Sequence, residues 1–108
     1  MDIAQDVALE IFSNPDDLSF GILEDLKKKT FGFMISRGPG KNFRYLVRKE
    51  DAQFESVDAA ADEIGRILNA VVEMKFPSEE SSALTKERVQ SIVTALKARQ
   101  YFGTYHVY

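Results

Sequence analysis

Residues 27–49, KKKTFGFMISRGPGKNFRYLVRK, decide the fold. Two aromatic and apolar runs flank Arg37-Gly38-Pro39-Gly40-Lys41. Proline sets its own φ and the glycine after it tolerates φ > 0, so Gly38 to Lys41 suits a tight turn. Alternating runs on either side of a glycine-bearing loop predict a β-hairpin, over about 30–37 and 42–49. Alternation also suggests the register. Setting Phe31 opposite Val47, Phe33 opposite Tyr45 and Ile35 opposite Phe43 gathers six apolar residues on one half-buried face. The opposite face then carries Thr30, Gly32, Met34, Ser36, Asn42, Arg44, Leu46 and Arg48. A slip of one residue would set Phe31, Phe33 and Ile35 against Arg48, Leu46 and Arg44, mixing core with solvent. The preferred register needs an odd-length loop. Pro39 sits poorly at the third position of a type I turn, so a five-residue loop is expected.

The same stretch concentrates charge. It holds Lys27, Lys28, Lys29, Arg37, Lys41, Arg44, Arg48 and Lys49 and no acid, a net +8. The whole chain carries −3, which leaves −11 for the remaining residues. Such asymmetry makes an oriented field. The basic hairpin pairs with acidic helices of its own molecule, is simply solvated, or offers a surface to an acidic partner.

Working outward, residues 2–13 predict a helix, with Ile3, Val7, Ala8 and Ile11 at helical spacing and Asp2 and Asp6 near the positive end of its dipole. Asn14-Pro15-Asp16-Asp17 reads as a helix start. Leu18, Ile22, Leu23 and Leu26 then form a stripe, and Lys27 to Lys29 suit a last turn, so a second helix is expected over about 15–29. After the hairpin, Glu50 to Gln53 read as a connection. Ser56 caps a third helix whose face is Val57, Ala60, Ala61, Ile64, Ile67, Leu68 and Val71. Residues 77–82 are rich in breakers. Thr85 or Ser82 caps a fourth helix with Leu84, Val89, Ile92, Val93 and Leu96 buried. The C-terminal segment 101–108, YFGTYHVY, is β-prone and available as a third strand, a packed tail or a frayed end. A two-stranded sheet alone is marginal. The expected fold is α+β: a small antiparallel sheet built on the central hairpin, covered on one face by about four helices.

Length and composition set the outer bounds. The 108 residues make one domain, 1–108, of ordinary globular composition, 44% hydrophobic and 29% charged. No apolar run approaches the roughly 20 residues that span a bilayer, and the acidic N-terminus lacks a signal-peptide start. With no cysteine, thiol and disulfide chemistry are absent, which suits a reducing compartment. The expected location is cytoplasmic, with no membrane partner.

Little in the chain points to catalysis. His106 is the single histidine, two residues from the end, so a triad or a zinc site has no raw material. The acid pairs Asp16-Asp17, Glu24-Asp25, Asp62-Glu63 and Glu79-Glu80 are adjacent in sequence, so on a helix their side chains diverge by about 100°. Arg37-Gly38-Pro39-Gly40-Lys41 lacks the spacing of a phosphate-binding loop. The expectation is no enzyme, no cofactor and no metal.

Lys29-Thr30-Phe31-Gly32-Phe33-Met34 resembles the basic-aromatic octapeptide of RNA-recognition motif domains, matching at Lys29, Phe31, Gly32 and Phe33. Thr30 stands where that pattern has glycine and Ser36 where it ends on an aromatic. The resemblance covers eight residues. It implies aromatic stacking of bases beside lysine and arginine. The family also places a strand, a helix and a second strand upstream, where this chain reads as two helices.

Two functions follow. The first is a small non-enzymatic interaction module binding an acidic protein partner, or a second copy of itself, through Met34, Arg37, Lys41, Arg44, Leu46 and Arg48. Surfaces that mix apolar groups with arginine are typical of interface centres. The alternative is single-stranded RNA or DNA held by the same hairpin, with phosphates on its lysines and arginines.

Overall fold

The computed structural model describes residues 4–13, 15–37, 44–74 and 84–98. Helix α1 (Gln5–Ser13) leads through a 3-10 turn at Pro15–Asp17 into strand β1 (Leu18–Asp25). Strands β2 (Thr30–Arg37) and β3 (Arg44–Phe54) follow, then helices α2 (Val57–Glu73) and α3 (Lys86–Lys97). The architecture is α+β, with a three-stranded antiparallel sheet in the order β1-β2-β3.

The helices after the sheet follow the sequence closely. Ser56, with extended backbone, accepts a hydrogen bond from the Ala59 N–H at 3.0 Å and starts α2. Thr85 does the same for α3, its hydroxyl accepting from the Arg88 N–H at 3.2 Å. Every residue assigned to the apolar face of α2 is buried, and so is the stripe of α3 from Val89 to Leu96.

The expected helix over 15–29 is a strand instead. Pro15, Asp16 and Asp17 make one 3-10 turn and go no further. Leu18, Phe20 and Ile22 then alternate as a buried face, paired with Arg37, Ile35 and Phe33 of β2. The apolar run admits both periods, since Leu18 and Ile22 lie on one face of either a helix or a strand. Two factors decide for the strand: Gly21 weakens a helix, and a β2–β3 ribbon alone would be only marginally stable without a third strand. The basic run closes this first hairpin rather than a helix. Asp25 Oδ1 accepts from the backbone N–H groups of Lys27 (3.0 Å) and Lys28 (3.2 Å). Lys29, in the left-handed region at φ 55°, donates its N–H to the Asp25 carbonyl at 2.7 Å. The chain therefore has three helices among its described residues, and the third strand precedes the central hairpin. The C-terminal segment 101–108 lies outside the described residues.

The β2–β3 hairpin is present, in a different register. Ile35 faces Val47, Phe33 faces Lys49 and Met34 faces Arg48, with Phe31 opposite Phe54. Residue 46 is an extra residue in β3, because Ser36 pairs with Tyr45 while Ile35 pairs with Val47. One added residue switches the facing of everything beyond it, so Tyr45 turns from the expected core face to the other side. The last pair among the described residues is Arg37 with Arg44, and residues 38–43, which hold most of the expected five-residue loop, lie outside them. Glu50 to Gln53, expected as a connection, continue β3 as far as Phe54 through a second irregularity opposite Gly32. A Cβ on Gly32 would run into the backbone carbonyls of Lys49 and Glu50, so only glycine admits that approach.

The core lies between the sheet and the helices. Phe20, Ile22, Phe33 and Ile35 meet Ile64, Ile67 and Val71 in one buried cluster. Fully burying each such side chain is worth about 1.5–3 kcal/mol. The Phe54 ring closes one end, 5.8 Å from the Phe33 ring. Helix α2 packs on β2 and β3, and α1 and α3 pack against α2. The Leu84 N–H donates to the Phe12 carbonyl at 3.0 Å, tying the chain before α3 to the end of α1.

Candidate interaction surface

Strand alternation gives the sheet two unlike faces. The helix side carries Phe20, Ile22, Phe31, Phe33 and Ile35, and at its rims Arg37, Arg44 and Lys49. These three cations are held by helix acids. Glu10 of α1 takes Arg37 on one oxygen and Arg44 on the other, at 2.5 and 2.9 Å. Glu63 of α2 takes Lys49 at 3.1 Å while also binding Arg66 at 2.6 Å. The hydrogen bond from Arg66 is the main force holding the Glu63 carboxyl below its ordinary value; burial pushes the other way and Lys49 adds to the lowering. Much of the hairpin's positive charge thus neutralises helices of the same molecule.

The opposite face bears no helix among the described residues. Its rows run Ser19–Ser36–Tyr45 and Gly21–Met34–Arg48, with Leu23 beside Gly32. Serines and glycines line its centre, where Gly21, Gly32 and Ser36 are buried, and the Ser36 hydroxyl reaches the Ser19 carbonyl at 3.5 Å. Tyr45 is 42% exposed. The Arg48 guanidinium sits over its ring, 4.4 Å from the centroid, and bonds Glu50 at 2.8 Å. The bond to Glu50 holds the Arg48 guanidinium more firmly protonated. Met34 stands across from Arg48, half-buried.

Of the six residues expected to bind a partner, the structure brings Met34 and Arg48 together on this face. Arg37 and Arg44 come together on the helix side, bound to Glu10. Leu46, the bulged residue, is half-buried against the core, and Lys41 lies outside the described residues. Tyr45 is the member that sequence reasoning missed. It is aromatic in an aromatic run, and nothing local marks the bulge that turns it outward. The two phenylalanines of the RNA-recognition-like octapeptide face the helices, with Phe33 fully buried, so neither is a platform for a base.

Among the described residues, no group of three or more metal-ligating side chains is placed to hold an ion. No helix among them is long and apolar enough to cross a membrane. No family model matches the chain, and comparison with curated proteins and with solved structures likewise finds no match.

Proposed function

We propose that this chain is a cytoplasmic, non-enzymatic interaction module that binds a protein partner through Tyr45, Arg48 and Met34 on the sheet face opposite the helices. The observation that carries the reading is Tyr45, exposed beneath the Arg48 guanidinium, on the face that Met34 shares and that bears no helix among the described residues. An aromatic ring, an arginine and a flexible thioether on flat ground are the residue types on which interface energy concentrates. A partner carboxylate would compete with Glu50 for Arg48, which keeps the expected acidic partner and narrows its expected contact on the hairpin to Met34 and Arg48, with Tyr45 added. The chemistry of the chain, with one histidine and no cysteine, favours binding over catalysis.

A photo-crosslinking residue at position 34 tests it, with position 66 on α2 as control. The expected result is a protein adduct from position 34 that disappears with Arg48→Glu and is absent from position 66. Equal labelling from both positions, or an adduct indifferent to Arg48→Glu, rejects the reading.

One observation favours nucleic acid as a second reading. Lys27, Lys28 and Lys29 form an exposed turn, and their side chains make no ion pair among the described residues. Titration with a mixed-sequence single-stranded RNA should then shift amides at 27–29 and fade steeply with salt.

A further inference from the structure

Among the described residues the β2–β3 ladder ends on two like charges, Arg37 directly opposite Arg44. Like charges directly opposite destabilise an antiparallel pair. Glu10 of α1 offsets this opposition. Its side chain is only 13% exposed, and each of its oxygens takes one arginine, Oε1 Arg37 and Oε2 Arg44. A single carboxylate, reached from a helix, holds together a strand pairing that would otherwise repel itself.

That pairing adjoins the extra residue of β3. Tyr45 pairs with Ser36 and Val47 with Ile35, so Leu46 is left over. Were the extra residue moved toward the loop, Leu46 would pair with Ser36 and Tyr45 with Arg37. Alternation would then put Tyr45 on the helix side, with Val47 and Lys49, and turn Leu46 to the other face. The exchange swaps one bulky side chain for another at the edge of the core, since Leu46 is now half-buried against it and Tyr45 is 42% exposed. Polar contacts therefore set the register. The Arg48 guanidinium over the Tyr45 ring favours the observed one. The opposed arginines favour the slip, which carries Arg44 away from Arg37. Glu10 tips the balance, because the slipped register turns Arg44 off the helix side and away from Oε2.

We propose that Glu10 is a positioning residue: by binding both arginines it fixes the register of this end of the hairpin and so holds Tyr45 outward under Arg48. Helix α1 thereby governs whether the Tyr45–Arg48 stack is formed. A change that draws Glu10 from the arginines releases Tyr45 to the helix side and dismantles the stack. What is governed rests on the reading of Tyr45, Arg48 and Met34 as the partner contact, whereas the register itself does not.

The test is cross-strand contact in the magnetic resonance spectra of the isotopically labelled full chain. In the native chain the Tyr45 backbone meets Ser36. Glu10→Gln removes the charge at nearly constant shape, and the expected result is a second conformer, populated on the order of 10%, in which Tyr45 meets Arg37 and Leu46 meets Ser36. Adding Arg44→Gln to Glu10→Gln removes the opposed charges and should restore the Ser36–Tyr45 pair alone. If Glu10→Gln by itself does not fold, recovery of that pair in the double variant supports the proposal. A Glu10→Gln chain in which Tyr45 meets only Ser36 overturns it. So does a double variant that fails to regain the pair, whether by slipping or by losing the fold, because Glu10 would then hold α1 to the sheet and not the register. These contacts are read without a partner, so their failure is distinct from failure of the crosslink at position 34.

Discussion

Val93 of α3 presses so closely on Gly65 of α2 that a Cβ at position 65 would stand 2.6 Å from Val93 Cγ2. The glycine inside the best-formed helix is therefore a contact residue between two helices. Its effect on substitution depends on its neighbour. In the native chain, Gly65→Ala gains about 1 kcal/mol of helix propensity and loses about 1–3 kcal/mol to overpacking, because valine is stiff at χ1. With Val93→Ala in place the overpacking is gone, and Gly65→Ala should stabilise. Chemical denaturation of the four chains of that cycle checks the reversal of sign.

Gly32 is more demanding, because its neighbours are backbone. Carbonyls of Lys49 and Glu50 occupy the space of a Cβ and cannot turn aside as a side chain would. Gly32→Ala should cost about 1–3 kcal/mol, read as a lower denaturation midpoint, and should disturb the amides of 49–54 most.

The β1–β2 turn stores a small strain at Lys29, which adopts φ 55°. Lys29→Gly should stabilise the chain by up to about 1 kcal/mol, whereas Lys29→Ala, which keeps a Cβ, should leave the thermal midpoint nearly unchanged. Asp25→Ala removes the acceptor of two turn N–H groups and should cost about 1 kcal/mol in the same assay.

Acid should weaken the joint between α2 and β3. Arg66 and Lys49 hold the Glu63 carboxyl below its ordinary value of 4.5 in the folded chain. A carboxyl depressed in this way contributes stability above 4.5 and loses it as the pH falls through the folded value. Glu63→Gln should cost about 0.5–1 kcal/mol at neutral pH. That difference from the native chain should shrink below 4.5 and vanish once the pH has fallen through the lower folded value, which denaturation at stepped pH measures.

The local signals of this chain were legible wherever they depend on near neighbours. Ser56 and Thr85 cap their helices because a hydroxyl three residues before an N–H satisfies it, and the apolar spacing of α2 and α3 admits one period. The composition of the β2 core face was legible too, since Phe31, Phe33 and Ile35 alternate. Leu18 to Leu26 admitted two periods, and the choice between helix and strand rests on whether β2 finds a neighbour on that side, which is a long-range condition. Lys27 to Lys29 fit both a helix end and a turn; Asp25 decides by accepting their N–H groups.

The candidate surface shows the same division. By itself the sequence determined that the region is aromatic and basic and that Met34 and Arg48 share a face, and of the four helical stripes it suggested, three are helices in the structure. Tertiary structure alone decided the rest. The extra residue at Leu46 turns Tyr45 outward under Arg48. Glu10 and Glu63 reach across from α1 and α2 and take up Arg37, Arg44 and Lys49. A bulge changes the facing of a strand without a mark in composition, and an ion pair between residues 27 or 34 positions apart exists only once helices lie on the sheet.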